Sequence, residues 1–510
     1  MSKKDTQENI VNTPLTREGK GGGVARLFKD TAIYGLSSIV GRFLNYLLVP
    51  LYTHYMPTQS GDYGISTNIY AYTALILVLL TFGMETTLFR FANEQPPLTP
   101  PEGGRFPSPQ GGWEGAVWPD TVFSTGFALI ASLTALFLAC IFGFITPIAD
   151  KLGYGEHHEY LLMMAAVVAM DALQALPFSF LRFQKRPIRF ATLKLLFIAF
   201  NIGLNLLYFV VLHKTSVFYV FAINLACTSL ISLIFIPELF KIHWHFDWSL
   251  LKRMLSYSWP ILILGVAGIL NQVADKIMFP LVYPDKVEAN IQLGIYGSCV
   301  KIAMIMAMIT QAFRYAYEPI VFAKSKDKDK NEYYAVAMKY FLIFTLLAFL
   351  CVMGYIDILQ LILGKGYREG MAVVPIVMVA EIMMGVYFNL SFWYKLIDKT
   401  IYGAWFSLAG CAVLFLVNYL FIPEYSYMAC AWGGVAGYGT AMVLSYIVGQ
   451  AKNPIPYPMK SILTYVLMTA LFYAVMHFTN EWHIALRLLT NTLLILLFCA
   501  HVYWHEIRKK

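Results

Sequence analysis

Apolar stretches of about 20 residues recur from one end of the chain to the other, separated by short polar connectors. A helix rises ~1.5 Å per residue, so each stretch is long enough to cross the ~30 Å hydrocarbon core of a bilayer. About fourteen spans follow from this pattern, the first at 30–54, the second at 63–87, the seventh at 254–281, the eighth at 293–316 and the last at 484–504. The pattern predicts an all-α polytopic membrane protein. Residues 1–28 are polar and glycine-rich, without the apolar core of a signal peptide, and read as a cytoplasmic tail. The connector KIHWHFDWSLLKR marks a midpoint. It divides the chain into an N-lobe over 29–241, a cytoplasmic linker over 242–253 and a C-lobe over 254–449. Residues 450–510 add two spans and a basic C-terminus.

Charge placement supports this alternation. Of the 38 Lys and Arg, 28 fall in connectors or span ends on one side when the N-terminus is taken as cytoplasmic. The opposite side holds only Lys151, Lys214, Lys286, Lys365 and Arg368. Cations favour the cytoplasmic side, and a miscounted span would scramble the pattern downstream, so both termini are expected to be cytoplasmic. The net charge of +8 is then largely a topology signal with added attraction to anionic lipid headgroups. No basic stretch is interleaved with base-stacking aromatics, which argues against a nucleic-acid partner.

Composition narrows the function. Charged residues make up 13% of the chain, about half the usual share of a soluble protein. The longest connector, 93–120, is rich in proline and glycine with no apolar periodicity, so no soluble catalytic domain is expected. The chain has no GxxxxGK[ST] loop for ATP. All seven cysteines lie within spans, which implies no disulfide framework. A transporter, not an enzyme, is the expectation, working inside the bilayer without a bound cofactor.

The informative residues are the charges within spans, where each costs about 3 kcal/mol on insertion scales and must face water or a partner. Ser38, Arg42 and Asn45 lie on one face of the first span at i, i+4, i+7. Gly268, Asn271 and Asp275 form a similar stripe in the seventh, with Lys276 beside the aspartate, and Lys301 stands in the eighth. Arg42, Lys276 and Lys301 are the candidate cavity cations, suited to a phosphate-bearing ligand. Asn45, Glu85, Arg90, Asp171, Asn271, Asp275, Arg314 and Glu381 are the further polar candidates, and the acids among them suit a proton or sodium site. The alternative is an internal ion pair, such as Asp275 with Arg42. A faint repeat also joins the halves: GDYG (61–64) follows the first span and GIYG (294–297) follows the seventh.

The segments KDTAIYGLSSIVGRFLNYLLVPLYTHYM, GDYGISTNIYAY, LLTFGMETTLFRFANE, LPFSFLRFQKRPIRFATLKL and FRYAYEPIVF, with the Asp275–Lys276 pair, resemble polysaccharide-biosynthesis membrane proteins. These are O-antigen-type lipid-linked oligosaccharide flippases of the multidrug/oligosaccharidyl-lipid/polysaccharide (MOP) exporter superfamily. The resemblance implies a two-lobed, MATE-like bundle that alternates its access between the two faces. It also implies a polyprenyl-diphosphate-linked oligosaccharide as cargo and a bacterial inner membrane as location. A polysaccharide polymerase is a candidate partner. Cavity arginines on the first, second and eighth spans bind the diphosphate in such flippases; Arg42 matches on the first, and Lys301 is a lysine on the eighth. Coupling to H+ or Na+, or drive by the membrane potential alone, stays open. So do two other readings, a MATE-like cation or drug antiporter and a lipid II-type peptidoglycan precursor flippase.

Overall fold

The structure, a computed structural model, describes residues 46, 48–94, 117–323, 330–396, 399 and 401–508. Arg42 and Asn45 lie outside the described residues. The fold is an all-α bundle. Among the described residues, twelve helices are long and apolar enough to cross a bilayer, or thirteen when one bent pair counts as a span. Helix α1 (Leu48–Tyr55) is the described end of the first predicted span, which brings the count to about fourteen.

The second span consists of α2 (Asp62–Thr81) and α3 (Met84–Ala92). Its break is at Phe82 and Gly83, both at positive φ (50° and 67°). Glycine tolerates that conformation and phenylalanine rarely does, so the chain turns where Gly83 takes part of the strain. The N-lobe continues with α4 (Val117–Gly143), α5 (His158–Phe183), α6 (Pro187–Leu206) and α7 (Val217–Leu239). Helix α8 (Trp248–Val282) starts where the Asp247 carboxylate accepts hydrogen bonds from the Ser249 and Leu250 amides, at 2.8 and 3.1 Å. This is an N-cap, so part of the expected linker is already helical. Asp285 caps α9 (Lys286–Ala303) in the same way.

Helix α9 runs into α10 (Ile305–Ala323), the pair bent by 41° about Met304. The bundle is completed by α11 (Lys330–Gly354), α12 (Val373–Leu390), α13 (Ile401–Tyr425), α14 (Tyr427–Lys452), α15 (Met459–Phe478) and α16 (Ile484–Val502). Helices are what a bilayer permits, because each satisfies its backbone polar groups internally.

Helix α8 joins the lobes. Its first turns, with Leu250 and Met254, pack into a core of Met84, Leu88, Phe123 and Leu176 from α3, α4 and α5. Its later turns pack on α13 and on α2. The hairpin α15–α16 is held on α11 and the short turn that follows it by buried polar contacts near both of its ends. Lys339 pairs with Glu506 at 2.5 Å, and Arg487 pairs with Asp357 at 2.5 Å.

The two repeat motifs meet. Gly64 of α2 and Gly294 of α9 cross so closely that a Cβ added at Gly64 would lie 1.8 Å from the Asn290 carbonyl oxygen. Small residues let membrane helices approach to this distance. Nearby, Gly364 lies against the Thr53 carbonyl, and the Tyr367 hydroxyl donates to the Met56 carbonyl at 3.3 Å. The end of the bundle that carries residues 56–61, 283–285 and 363–372, here the first face, is thus sealed between the lobes.

Candidate functional site

Three residues predicted from the seventh span converge in the C-lobe. The Asp275 carboxylate accepts from Lys276 Nζ at 2.9 and 3.0 Å and from the Tyr296 hydroxyl at 2.7 Å. Neighbours in sequence diverge by about 100° around a helix, but the lysine stem is long enough to fold back. Lys276 Nζ also donates to the Gln272 carbonyl at 3.1 Å. The pair is largely enclosed, with side-chain exposures of 19% for Lys276 and 11% for Asp275. Asn271, one turn earlier, donates to the Ala267 and Ser407 carbonyls and receives the Tyr438 hydroxyl at its own carbonyl. Its buried amide oxygen has no protein partner among the described residues. Glu381 of α12 lies within electrostatic range of both Asp275 and Lys276. A side chain at Gly268, on the same stripe, would meet nothing within 4 Å, so this face of α8 borders open space.

Lys301 stands in the last turn of α9, directly before the bend. Its ammonium lies 5.4 Å from the Tyr46 ring centroid and within electrostatic range of Lys276. Among the described residues it has no carboxylate partner within ion-pair distance. Helix geometry partly offsets this. The C-terminal end of a helix carries about −0.5 charge, a stabilisation of about 0.3–1 kcal/mol for a nearby cation. The result is an enclosed cation held by a dipole and an aromatic face, leaving its own charge available to an anion. Lys276 differs, because Asp275 already neutralises it.

A second polar set lies in the N-lobe. Arg182 Nη2 donates to Glu85 at 3.4 Å and to the Ser179 hydroxyl at 3.0 Å, and Ser179 donates to Glu85 at 3.2 Å. Lys194 of α6 sits 3.9 Å over the Phe178 ring, and the charges of Asp171, Glu85 and Arg182 all reach it. Tyr70 of α2 receives the Asn224 amide at 3.0 Å, and Asp171 lies within its electrostatic reach. Arg182 and Glu85 keep 37% and 45% of their side-chain surface exposed. Charges so placed within spans face a water-filled space in a bilayer, not lipid.

The predicted residues therefore fall into separate groups. Lys276, Lys301, Asn271, Asp275 and Glu381 gather in the C-lobe, and Glu85 and Asp171 in the N-lobe. Arg90 is at the far end of α3, paired with Glu94 at 3.5 Å and 4.2 Å over the Tyr257 ring, half exposed. Arg314 of α10 lies 5.2 Å over the Phe388 ring. Arg182, Lys194 and Tyr296 were not foreseen as site residues. The two cations sit close enough to span ends to count as connector charges, although Lys194 lies two turns inside α6. No group of three or more His, Cys, Asp or Glu that would hold a metal ion occurs among the described residues.

Residues 117–372 match the family described as polysaccharide biosynthesis protein. No curated protein sequence matches the chain. Among solved structures, the fold resembles "Lipid II flippase MurJ, inward closed conformation", with a TM-score of 0.70 and 16% identity over 92% of this chain and 98% of that one. It also resembles an inward-facing "multidrug resistance MATE family transporter of the MOP superfamily", with a TM-score of 0.60 and 13% identity over 84% of this chain and 97% of the other. The MATE multidrug transporter DinF-BH gives a TM-score of 0.57 and 13% identity over 87% of this chain and 99% of that one. At these identities the likeness establishes a shared fold.

Proposed function

We propose, from the premise that this chain belongs to the polysaccharide biosynthesis protein family, that it is a flippase for a lipid-diphosphate-linked oligosaccharide. The cargo moves from the cytoplasmic to the outer leaflet of a bacterial inner membrane by alternating access of the two lobes. The observation that carries this reading is Lys301, an enclosed cation at a helix bend with no carboxylate partner among the described residues. An anion recognised inside a bilayer needs such an uncompensated charge. Arg42, on the first span, is the further diphosphate ligand in this reading. Lys276 is a reserve charge, freed when the diphosphate competes with Asp275. That competition counts against a cation or drug antiporter, whose cargo would need Asp275 and Glu381 without a resident ammonium between them.

The physics of the task fits the fold. Each sugar hydroxyl carried into hydrocarbon without a partner costs about 2–7 kcal/mol, so several sugars make unaided crossing negligible. A polar gap between the lobes removes that barrier while the lipid tail stays in the bilayer. Moving phosphate out of an inside-negative cell is favourable by about 2.3 kcal/mol per charge per 100 mV, so the membrane potential supplies a sufficient drive. On the positive-inside pattern the sealed first face is the outer one, and the loops bearing Lys185, Arg186 and Lys241 are cytoplasmic.

The test is a reconstituted flipping assay with the lipid-linked oligosaccharide fraction of the host membrane. Losing a hydrogen bond to a charged group costs about 1.5–3 kcal/mol, so Lys301→Met should lower transport about 10- to 150-fold at normal insertion levels. Lys301→Arg should retain most of it. Full transport by Lys301→Met would refute the assignment.

A further inference from the structure

We propose that the N-lobe set Tyr70, Glu85, Asp171, Arg182, Lys194 and Asn224 is a glycan-binding site that takes the sugar part of the cargo while Lys301 and Arg42 take the phosphate. This rests on the flippase reading above. It assigns a ligand to charges that reading leaves unused.

The charge arithmetic differs between the lobes. In the N-lobe two acids face two cations, a net charge of zero, with Arg182 on Glu85 at 3.4 Å and Lys194 within range of Asp171, Glu85 and Arg182. A balanced set has little to offer a diphosphate, because Glu85 pairs with the Arg182 guanidinium and the charges of Asp171 and Glu85 both reach the Lys194 ammonium. A sugar presents the opposite demand. Every hydroxyl both donates and accepts, so its recognition needs acceptors and donors side by side. Carboxylates, an ammonium, a guanidinium, an amide and a phenol supply both kinds here.

Placement supports the same ligand. Asp171 lies mid-way along α5, about 18 Å from either end at ~1.5 Å per residue. Glu85 and Arg182, near the ends of their helices, keep 45% and 37% of their side-chain surface exposed, which leaves this end of the set open to a ligand. Tyr70 is 37% exposed, which leaves ring surface beside these polar groups to lie against the apolar face of a sugar.

The experiment measures a preference. The full-length protein in detergent is titrated with two probes, bare polyprenyl diphosphate and the host's lipid-linked oligosaccharide fraction, and binding of each is read by native mass spectrometry. For Asp171→Asn and for Lys194→Gln, the affinity ratio of glycan-bearing to bare lipid should drop at least ten-fold relative to the parent. Lys301→Met should weaken both probes alike and leave the ratio in place. Tyr70→Ala, which disturbs no ion pair, provides a second route to the same drop should either charge variant fail to accumulate. An unchanged ratio in these N-lobe variants, or an equal loss of both probes, overturns the glycan site. A parent protein that binds neither probe overturns instead the flippase reading beneath it.

Discussion

The crossing of Gly64 and Gly294 makes a conformational prediction that can be sized from the structure. In Gly64→Ala the new Cβ would lie 1.8 Å from the Asn290 carbonyl oxygen, 2.7 Å from its carbon and 3.0 Å from the Gly294 nitrogen. All three neighbours are helix backbone that cannot rotate away. Non-bonded contact needs about 3.4 Å, so α2 and α9 must part by roughly 1.6 Å at the first face. Overpacking of this kind costs about 1–3 kcal/mol. If the crossing forms only while the first face is closed, that cost falls on the closed state alone, and the balance between states shifts about 5- to 150-fold toward opening there. Spin labels at His54 and Val287, in a background without the seven native cysteines, would report it as growth of a long-distance population. Gly268→Ala is the matched control, since its Cβ meets nothing within 4 Å; it should leave the distances unchanged. If Gly64→Ala lowers thermal stability with the distance distribution unmoved, the crossing persists in every state. The first face then does not open there.

Two further outcomes are expected. Asp275→Asn strands the enclosed Lys276 ammonium and should destabilise the purified protein by about 3–5 kcal/mol; adding Lys276→Met should restore most of the loss in a thermal-shift measurement, and failure of that rescue would show that Asp275 answers a different charge. Single cysteines at Lys286 and Lys185 should label from outside and inside respectively with a membrane-impermeant maleimide, and labelling from one side only would end the topology drawn here.

What can be read along the chain is set by local physics. Length and apolarity of each stretch specify a spanning helix because lipid leaves the backbone no other way to satisfy itself. Asp247 and Asp285 mark helix starts for an equally local reason, their carboxylates reaching amides two and three residues on. The stripe of Gly268, Asn271 and Asp275 is legible because helical periodicity places those positions on one face. Pairing across helices is not written in any such period. Asp275 could have answered Arg42 or Lys276 on sequence alone, and packing brings the Lys276 stem and the Tyr296 hydroxyl onto it. Lys194 reads as a connector charge until α5 and α6 are laid together and bring it to Asp171. The echo of GDYG and GIYG is visible in the sequence, yet that the two glycines touch is decided only by the crossing of α2 over α9. The chain itself thus determines its helices and which of their faces are polar. The tertiary structure decides which charges remain uncompensated, because compensation depends on distances of a few ångströms between segments hundreds of residues apart.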